Sequence, residues 1–383
     1  MKINRTILAT VLGLSVAGAS QAGTVYLTGS TAARGTVQLA LNTAGIVFQS
    51  APTFTGYEGD NYMGFVGNDL SGNPLTVKCH WSGSEAGIKD VALAQSSSFI
   101  ADSALNASEN GSAEPAATET ATVDLGMADN AQSFSRTKTP VVNTNAQVGV
   151  ITFAWVRNNG LWQGTNVSSS QIKQALAGFA PRSVFSGNPA DKNDYVYVSG
   201  RDFSSGTRVN AYGDTGFGIL TPPSQIEIDT ASGNLKSDTD INGAAGVFFG
   251  DIGWPSGGTL ANTLGVSTSG KDDSQALGDG TTGYSVIAYL SRGDANTAIT
   301  AGGKECTYNG VSFSRNGIIE GNYTFWGYEF IFQRSGAGAQ AQAAYAGLKT
   351  GVPTAAGHTS ASLIPVNDMD CTRSGPNGGV AHK

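Results

Sequence analysis

Charge, histidine and cysteine are scarce in this sequence. Asp, Glu, Lys and Arg make up 13% of its 383 residues, and there are three histidines and three cysteines. These residues form no cluster and no CxxC pair, so the four ligands of a structural zinc site are not available at a plausible spacing. No serine has an assignable histidine base, which disfavours a hydrolase that works through an activated nucleophile. We therefore expect no metal, no cofactor and no catalysis.

A run long enough to span a membrane is also lacking at the N-terminus. After Lys2 and Arg5, residues 7–19 are apolar, which is shorter than the ~20 residues that a membrane helix needs. The triplet SQA at 20–22 supplies the small residues of a cleavage site, and no cysteine follows that could carry a lipid anchor. This pattern predicts a secretory signal peptide over residues 1–22 and a mature protein in the periplasm or outside the cell.

The cysteine count is odd, so at most one disulfide can form within the chain. Export makes a bridge feasible. The sequence does not fix which two of Cys79, Cys306 and Cys371 would pair, and our guess is Cys306 with Cys371.

The chain is acidic, with a formal net charge of −7. Loss of Lys2 and Arg5 with the signal peptide removes two positive charges and brings it to −9. Such a chain is a poor partner for nucleic acid. A small anion is not excluded, because a buried site binds it through local dipoles and hydrogen bonds.

Hydroxyl groups lie beside glycine at three predicted strand-to-helix junctions. Strand-like residues 24–27, 75–79 and 195–198 each lead into such a turn and then into a helical pattern. The turns hold Ser30 or Thr31, then Ser84, then Ser205, Gly206 and Thr207. A helix N-terminus offers free N–H groups and a positive dipole end, and glycine allows close backbone approach. Each junction alone is typical of an ordinary helix cap.

The alternation of strands and helices predicts an α/β chain with mainly parallel sheets. Ligands of such sheets bind outside the carboxyl ends of the strands. The three junctions lie at such ends, as does Asp129 after the strand-like residues 123–127, and Arg201 follows residues 195–198. Their coincidence favours an oxyanion site over three unrelated caps.

Other parts of the chain are less regular. Residues 101–122 are rich in Ala, Ser, Thr and Glu without any aromatic residue, which predicts an exposed, mobile insertion. Weak strands are expected near residues 226–228 and 247–249, and a strand or a helix over 280–291. An aromatic strand over 321–333 should precede an Ala-rich helix.

Seven segments, in this order, resemble the type II periplasmic substrate-binding proteins, specifically the phosphate-binding proteins of ABC transporters. The resemblance covers most of the mature chain. Its segments are TGSTAAR (28–34), SGSEAGIKD (82–90), VDLGMADN (123–130), SSSQIKQALAGF (168–179), GRDFSSGTR (200–208), TTGYSVI (281–287) and NYTFWGYEFI (322–331).

This resemblance implies a two-lobed fold, each lobe a mainly parallel sheet flanked by helices, with the ligand cleft between the lobes. Lobe 1 would comprise residues 23–152 and 322–383, with the insertion 101–122, and lobe 2 residues 153–321. Carried over residue by residue, the ligand-binding set is Ser30, Thr31, Ser84, Asp129, Arg201, Ser205, Gly206 and Thr207. The chain departs from the family pattern at Glu85, where glycine is common, and at Phe203, where an aspartate often steadies the arginine.

The ligand implied by the resemblance is inorganic phosphate. Hydroxyl and N–H groups would donate to its oxygens, and Arg201 would add a planar pair of donors. Asp129 would accept a proton carried by hydrogen phosphate, and would repel sulfate, which has no proton at neutral pH.

We therefore predict a monomeric binding protein that captures phosphate for ABC-type uptake, with a membrane permease as its partner. The alternative is an extracellular or surface protein that uses the same fold for another oxyanion or for a structural or adhesive role. A phosphatase is disfavoured, because Ser84 and Ser205 lack a histidine partner and no metal-ligand cluster is visible.

Overall fold

The computed structural model describes residues 23–56, 61–105, 115–178, 180–230, 233–235, 252–267, 283–356 and 363–383. The predicted signal peptide and the weak strand at 247–249 lie outside the described residues, as do Phe179 and residues 281–282 of the quoted segments.

One mixed sheet runs through the molecule. Its strands are β1 (Gly23–Gly29), β2 (Thr53–Thr55), β3 (Tyr62–Asn68), β4 (Pro74–His80), β7 (Leu125–Ala128), β8 (Asn145–Arg157), β9 (Asn166–Val167), β10 (Ala180–Pro181), β11 (Tyr195–Val198), β12 (Ser285–Ser291), β13 (Lys304–Tyr308), β14 (Trp326–Gln333) and β15 (Leu363–Ile364). The main path is β10-β11-β12-β8-β14-β7-β1-β4-β3-β2. Two hairpins lie apart from it, β5 (Ser96–Ile100) with β6 (Thr118–Thr122) and β16 (Cys371–Arg373) with β17 (Val380–His382).

Helices cover both faces of this sheet. They are α1 (Arg34–Asn42), α2 (Ser84–Ala92), α3 (Ser169–Gly178), α4 (Arg182–Ser186), α5 (Gly206–Asp214), α6 (Gly257–Val266), α7 (Arg292–Thr300), α8 (Arg315–Ile319) and α9 (Ala339–Ala356). The consecutive residues Ile331 and Phe332 of β14 point to opposite faces, as strand geometry requires. Ile331 packs in one core cluster with Leu41 of α1 and Leu348 of α9, and Phe332 packs in another with Ile88 of α2.

Parallel pairing is concentrated where the sequence predicted the site. β1 pairs in parallel with β4 and β7, with Thr28 opposite His80 and Gly29 opposite Met127, so these three strands end at one edge. β11 and β12 are also parallel. The remaining neighbours on the main path are antiparallel, including β14, which lies between β7 and β8. The α/β class is confirmed, in a sheet that mixes both pairings.

β8 is the longest strand and belongs to both halves of the sheet. It is buried at every position from Val148 to Arg157, which explains the continuous apolar run in its sequence. Its first part pairs with β14, ending at Thr152 opposite Trp326, and its second part pairs with β12, beginning at Phe153 opposite Ser291.

The ends of the segment 101–122 are structured, in contrast to the expected insertion without regular structure. Asp102–Ala104 form a 3-10 turn, and the last five residues are β6, which pairs with β5. The cause is a buried lysine on β4 that the composition does not reveal. Lys78 Nζ lies 2.7 Å from Asp102 Oδ1 and 2.6 Å from Glu119 Oε1, so both ends are tied to the sheet.

Two further expectations are wrong. Residues 226–228 form no strand, and Ile228 makes only an isolated bridge to Leu235. The guessed disulfide between Cys306 and Cys371 is absent, and all three cysteines are free and buried. Cys306 lies in β13 opposite Trp155, whereas the Cys371 thiol donates to the Ile318 carbonyl oxygen at 3.5 Å. The ambiguous residues 280–291 contain a strand, β12.

Candidate functional site

Close backbone packing brings helix α2 onto the ends of β1 and β7. A Cβ atom on Gly87 of α2 would lie 2.8 Å from the Cα of Gly29 and 2.9 Å from the carbonyl oxygen of Met127. Only glycine allows this approach. The first residue of α2, Ser84, thereby reaches the end of β7, where Asp129 follows. Gly83 is the N-cap residue of this helix, and Ser84 is its first residue.

Asp129 is the centre of the cluster. Its side chain is fully buried and accepts hydrogen bonds from the hydroxyl groups of Ser84 and Thr207. Its own N–H donates to Ser84 Oγ at 3.2 Å. Burial raises the pKa of Asp129 to about 6, although these hydrogen bonds and the charge of Arg201 act in the opposite direction. The carboxyl group is therefore an acceptor held among donors.

The N-terminus of α5 lies directly against Asp129. Ser205 is the N-cap, and its Oγ accepts from the N–H of Arg208 at 3.3 Å. A Cβ atom on Gly206 would lie 1.5 Å from Asp129 Oδ1, so any other residue at that position would displace the carboxyl group. Thr207 is buried in the first turn. The positive end of the α5 dipole thus faces the carboxyl group.

The first loop reaches the cluster through Ser30 and Thr31. The Ser30 N–H donates to the Met127 carbonyl oxygen at 2.9 Å, and its hydroxyl oxygen lies 3.3 Å from Glu329 Oε2. Ser30 Oγ also accepts from the N–H of Ala33 at 3.3 Å. The Thr31 hydroxyl lies 3.5 Å from both Nη1 and Nη2 of Arg201.

Arg201 is 1% exposed and is held mainly by carbonyl groups. Its Nε donates to the Trp254 carbonyl oxygen at 3.0 Å and its Nη2 to that of Pro255 at 2.8 Å. No carboxylate in the described part of the chain forms an ion pair with it. The neighbouring Asp202 instead accepts from the Ser204 N–H at 3.0 Å, so it orders the loop before α5.

All eight predicted residues therefore meet in one place, contributed by both halves of the sheet. Further bonds join the halves there. The Glu85 N–H donates to the Ser204 carbonyl oxygen at 2.9 Å. Asn210 Nδ2 donates to the carbonyl oxygens of Asp129, at 2.7 Å, and of Gly206, at 3.0 Å.

Three residues of the cluster were missed by the sequence reasoning. Asn210 is one, and Glu85 is another, since its carboxylate accepts from Asn130 Nδ2 at 2.9 Å and from the Arg136 N–H at 2.6 Å. The third is Glu329 of β14, which is 0% exposed. Burial, and then the charge of Asp129, raise the pKa of Glu329 well above its ordinary value. The signal in the sequence was that Glu329 is the single acidic residue within the aromatic strand predicted over 321–333.

The other end of α5 is held by the C-terminal hairpin of β16 and β17. Arg373, at the end of β16, lies 2.9 Å from Asp214 Oδ1, and both side chains are buried. The same guanidinium donates through Nη1 to the carbonyl oxygens of Thr324, at 2.7 Å, and Trp326, at 2.8 Å. Helix α5 is thus anchored at both termini.

A metal site and a membrane-spanning helix are both absent from the described residues. No set of three or more His, Cys, Asp or Glu side chains there is placed to hold a metal ion. Within the same residues, no helix has the length and apolar character needed to cross a bilayer.

Comparison with known proteins places the fold. No family model and no curated protein sequence matches the chain. A solved structure does: a protein from Clostridium perfringens assigned as a phosphate ABC transporter substrate-binding protein, with bound phosphate. It aligns over 90% of this chain and 100% of its own, with 12% identity and a TM-score of 0.52. The chain shares the fold of this substrate-binding protein.

Other solved structures align over similar lengths with lower scores. An ABC-type phosphate transport receptor from Vibrio cholerae is 13% identical over 89% of this chain and 99% of its own, with a TM-score of 0.46. PstS from Borrelia burgdorferi is 11% identical over 89% of this chain and 98% of its own, with a TM-score of 0.40.

Proposed function

We propose that this protein captures inorganic phosphate between the two halves of its sheet. One observation carries the proposal: a buried carboxyl group, Asp129, lies among the donors of Ser84, Thr207, Arg201 and the α5 N-terminus. The Arg201 guanidinium and the N–H groups of the α5 N-terminus suit an oxyanion, and the Asp129 acceptor suits an oxyanion that carries a proton. Hydrogen phosphate has both properties, and sulfate lacks the second.

We also propose that Ser30, Thr31, Ser205 and Gly206 complete the binding set. The hydroxyl groups of Ser30 and Thr31 in the first loop would donate hydrogen bonds to the anion. The N–H groups at the α5 N-terminus would do the same. Their burial supports this role, because a dehydrated anion needs a partner for each of its oxygens.

The two halves of the sheet serve in this proposal as lobes 23–152 plus 322–383 and 153–321. The change of partner along β8 between Thr152 and Phe153 supports that division. The signal-like residues 1–22 support export to the periplasm or the exterior, where a monomer would deliver phosphate to an ABC permease.

Binding without chemical conversion is part of the proposal. Catalysis at Ser205 would need a base beside its hydroxyl, yet Ser205 Oγ accepts from the Arg208 N–H as the cap of α5. His80 contacts Ser97 Oγ at 3.0 Å instead. Similarity of fold to a binding protein supports the same conclusion.

A thermal-shift panel tests the proposal. Phosphate and arsenate should raise the melting temperature, and sulfate and molybdate should not; saturation at 1,000 times Kd adds about 4 kcal/mol to stability. Arg201→Met should abolish the shift, whereas Arg315→Met, at an exposed ion pair with Asp368, should keep it. No shift at millimolar phosphate would refute phosphate capture. A shift with a different oxyanion alone would favour the alternative function.

A further inference from the structure

Glu329 is a buried acid without a cationic partner. It lies in β14 with 0% exposure, and no Lys or Arg of the described residues forms an ion pair with it. The titratable group whose charge acts on it is Asp129, at the end of the neighbouring β7, and that charge is of the same sign. Opposite Glu329 on β8 lies Gly149, which cannot ionise. An isolated buried carboxylate is costly, so such a group keeps its proton.

The hydrogen bonds of Glu329 fit a neutral acid. Its Oε2 lies 3.3 Å from Ser30 Oγ, and its Oε1 has no hydrogen-bond partner among the described residues. A carboxylate with one bare oxygen would leave a buried charge half unsatisfied. A carboxylic acid whose hydroxyl oxygen is Oε2 can donate to Ser30 and leaves only a neutral carbonyl oxygen unpaired.

Protonation of Glu329 decides what Ser30 can do. A serine hydroxyl has one proton to donate and two acceptor lone pairs. Ser30 Oγ already accepts from the Ala33 N–H at 3.3 Å. If Glu329 donates to the same oxygen, both lone pairs are used and the serine proton must be donated elsewhere. If Glu329 were ionised, its carboxylate would accept the hydrogen bond from the Ser30 hydroxyl, and Ser30 could not donate to an anion.

We propose that Glu329 is a positioning residue that, as a neutral carboxylic acid, directs the Ser30 hydroxyl proton toward the bound anion. The inference rests on the proposed function. Glu329 contacts Ser30 of the first loop although the two residues lie 299 positions apart in the sequence. The positioning role makes Ser30 an obligate donor, and it explains why an aromatic strand retains one buried acid.

A double-mutant cycle with the full mature chain tests this role, with calorimetric phosphate titration as the assay. Glu329→Leu should weaken binding about tenfold to a hundredfold, the usual cost of a hydrogen bond to a charged group. Glu329→Gln should bind within about threefold of wild type, because its amide N–H can replace the acid proton. In a Ser30→Ala background, Glu329→Leu should cause no further loss.

Two results would overturn the inference. One is a Glu329→Gln variant as weak as Glu329→Leu, since that would mean that the charge is needed. The other is a Glu329→Leu effect of equal size with and without the Ser30 hydroxyl, which would indicate a packing role. The affinity of Glu329→Gln should also follow the same pH profile as wild type between pH 5 and 8.

An infrared difference spectrum separates this inference from the proposed function. Wild type minus Glu329→Gln, without any ligand at pH 7, should show the carbonyl band of a protonated carboxyl group. A missing band refutes the neutral acid even if phosphate binds. A wild-type protein that binds no phosphate refutes the proposed function, whatever the band shows.

Discussion

Asp129→Asn should remove most of the discrimination between phosphate and sulfate. The wild-type carboxyl group is buried, and the donors around it leave it as the acceptor of the cluster. In the proposed site, hydrogen phosphate would donate its proton to the ionised carboxylate, whereas sulfate would present a negatively charged oxygen without a proton. An asparagine side chain is uncharged and can donate to either anion.

The size of the effect follows from the charges. Two like charges about 3 Å apart repel by about 5 kcal/mol at an effective dielectric constant of about 20. At 1.4 kcal/mol for each factor of ten, this corresponds to about three to four orders of magnitude in the ratio of the two dissociation constants. In Asp129→Asn the repulsion is absent, and the ratio should fall to about tenfold or less.

Calorimetric titration of both anions at pH 7.5 measures this ratio. Asp90→Asn is the matched control, because Asp90 is also a buried acid, lies in α2 like Ser84, and accepts from the Thr28 hydroxyl at 3.2 Å. The control should keep the wild-type ratio. An unchanged ratio in Asp129→Asn would refute the role of Asp129 as the selective acceptor.

Two further predictions concern stability. Because the pKa of Asp129 is raised to about 6 in the folded protein, protonated Asp129 stabilises the fold at acidic pH, and this stabilisation is lost as the pH rises through about 6. A pKa shift of about two units corresponds to about 3 kcal/mol of folding free energy. Urea unfolding of the ligand-free protein from pH 4 to pH 8 should therefore show a decline that Asp129→Asn reduces, and an equal decline in both proteins would contradict the assigned cause. Arg373→Met should lower the free energy of unfolding by about 3–5 kcal/mol, because it leaves Asp214 buried without its cation. If the Arg373→Met variant unfolds at the wild-type urea concentration, this pair is not needed; adding Asp214→Asn to that variant should restore part of the loss.

The sequence predicted the parts of the site that depend on local pattern. Strand, small hydroxyl residue and helix recur at Ser30, Ser84 and Ser205, and parallel strands place such ends together. Asp129 and Arg201 could be predicted for the same reason, since Asp129 directly follows β7 and Arg201 lies three residues after the end of β11. These predictions needed only the order of elements and the geometry of parallel pairing.

The remaining parts depend on contacts between distant residues. Glu329 contacts Ser30, which is distant in the sequence. Arg201 is held by the backbone carbonyl groups of Trp254 and Pro255, and backbone acceptors leave no residue pattern that could be recognised. The neighbouring acid, Asp202, accepts instead from the Ser204 N–H in the loop before α5. Likewise, composition assigned residues 101–122 to an unstructured insertion because the lysine that ties both ends lies elsewhere in the chain.

The continuity of β8 restricts how the two halves of the sheet can move. Near the change of partner, two chain segments run side by side, with Thr152 opposite Trp326 and the Phe153 N–H donating to the Phe325 carbonyl oxygen at 3.2 Å. Two segments joined by hydrogen bonds resist rotation of one half of the sheet about either segment alone. In the proposed function, the halves should therefore bend toward each other about an axis that crosses both segments. Such a motion has few degrees of freedom, which would limit the entropy lost when phosphate holds the halves together.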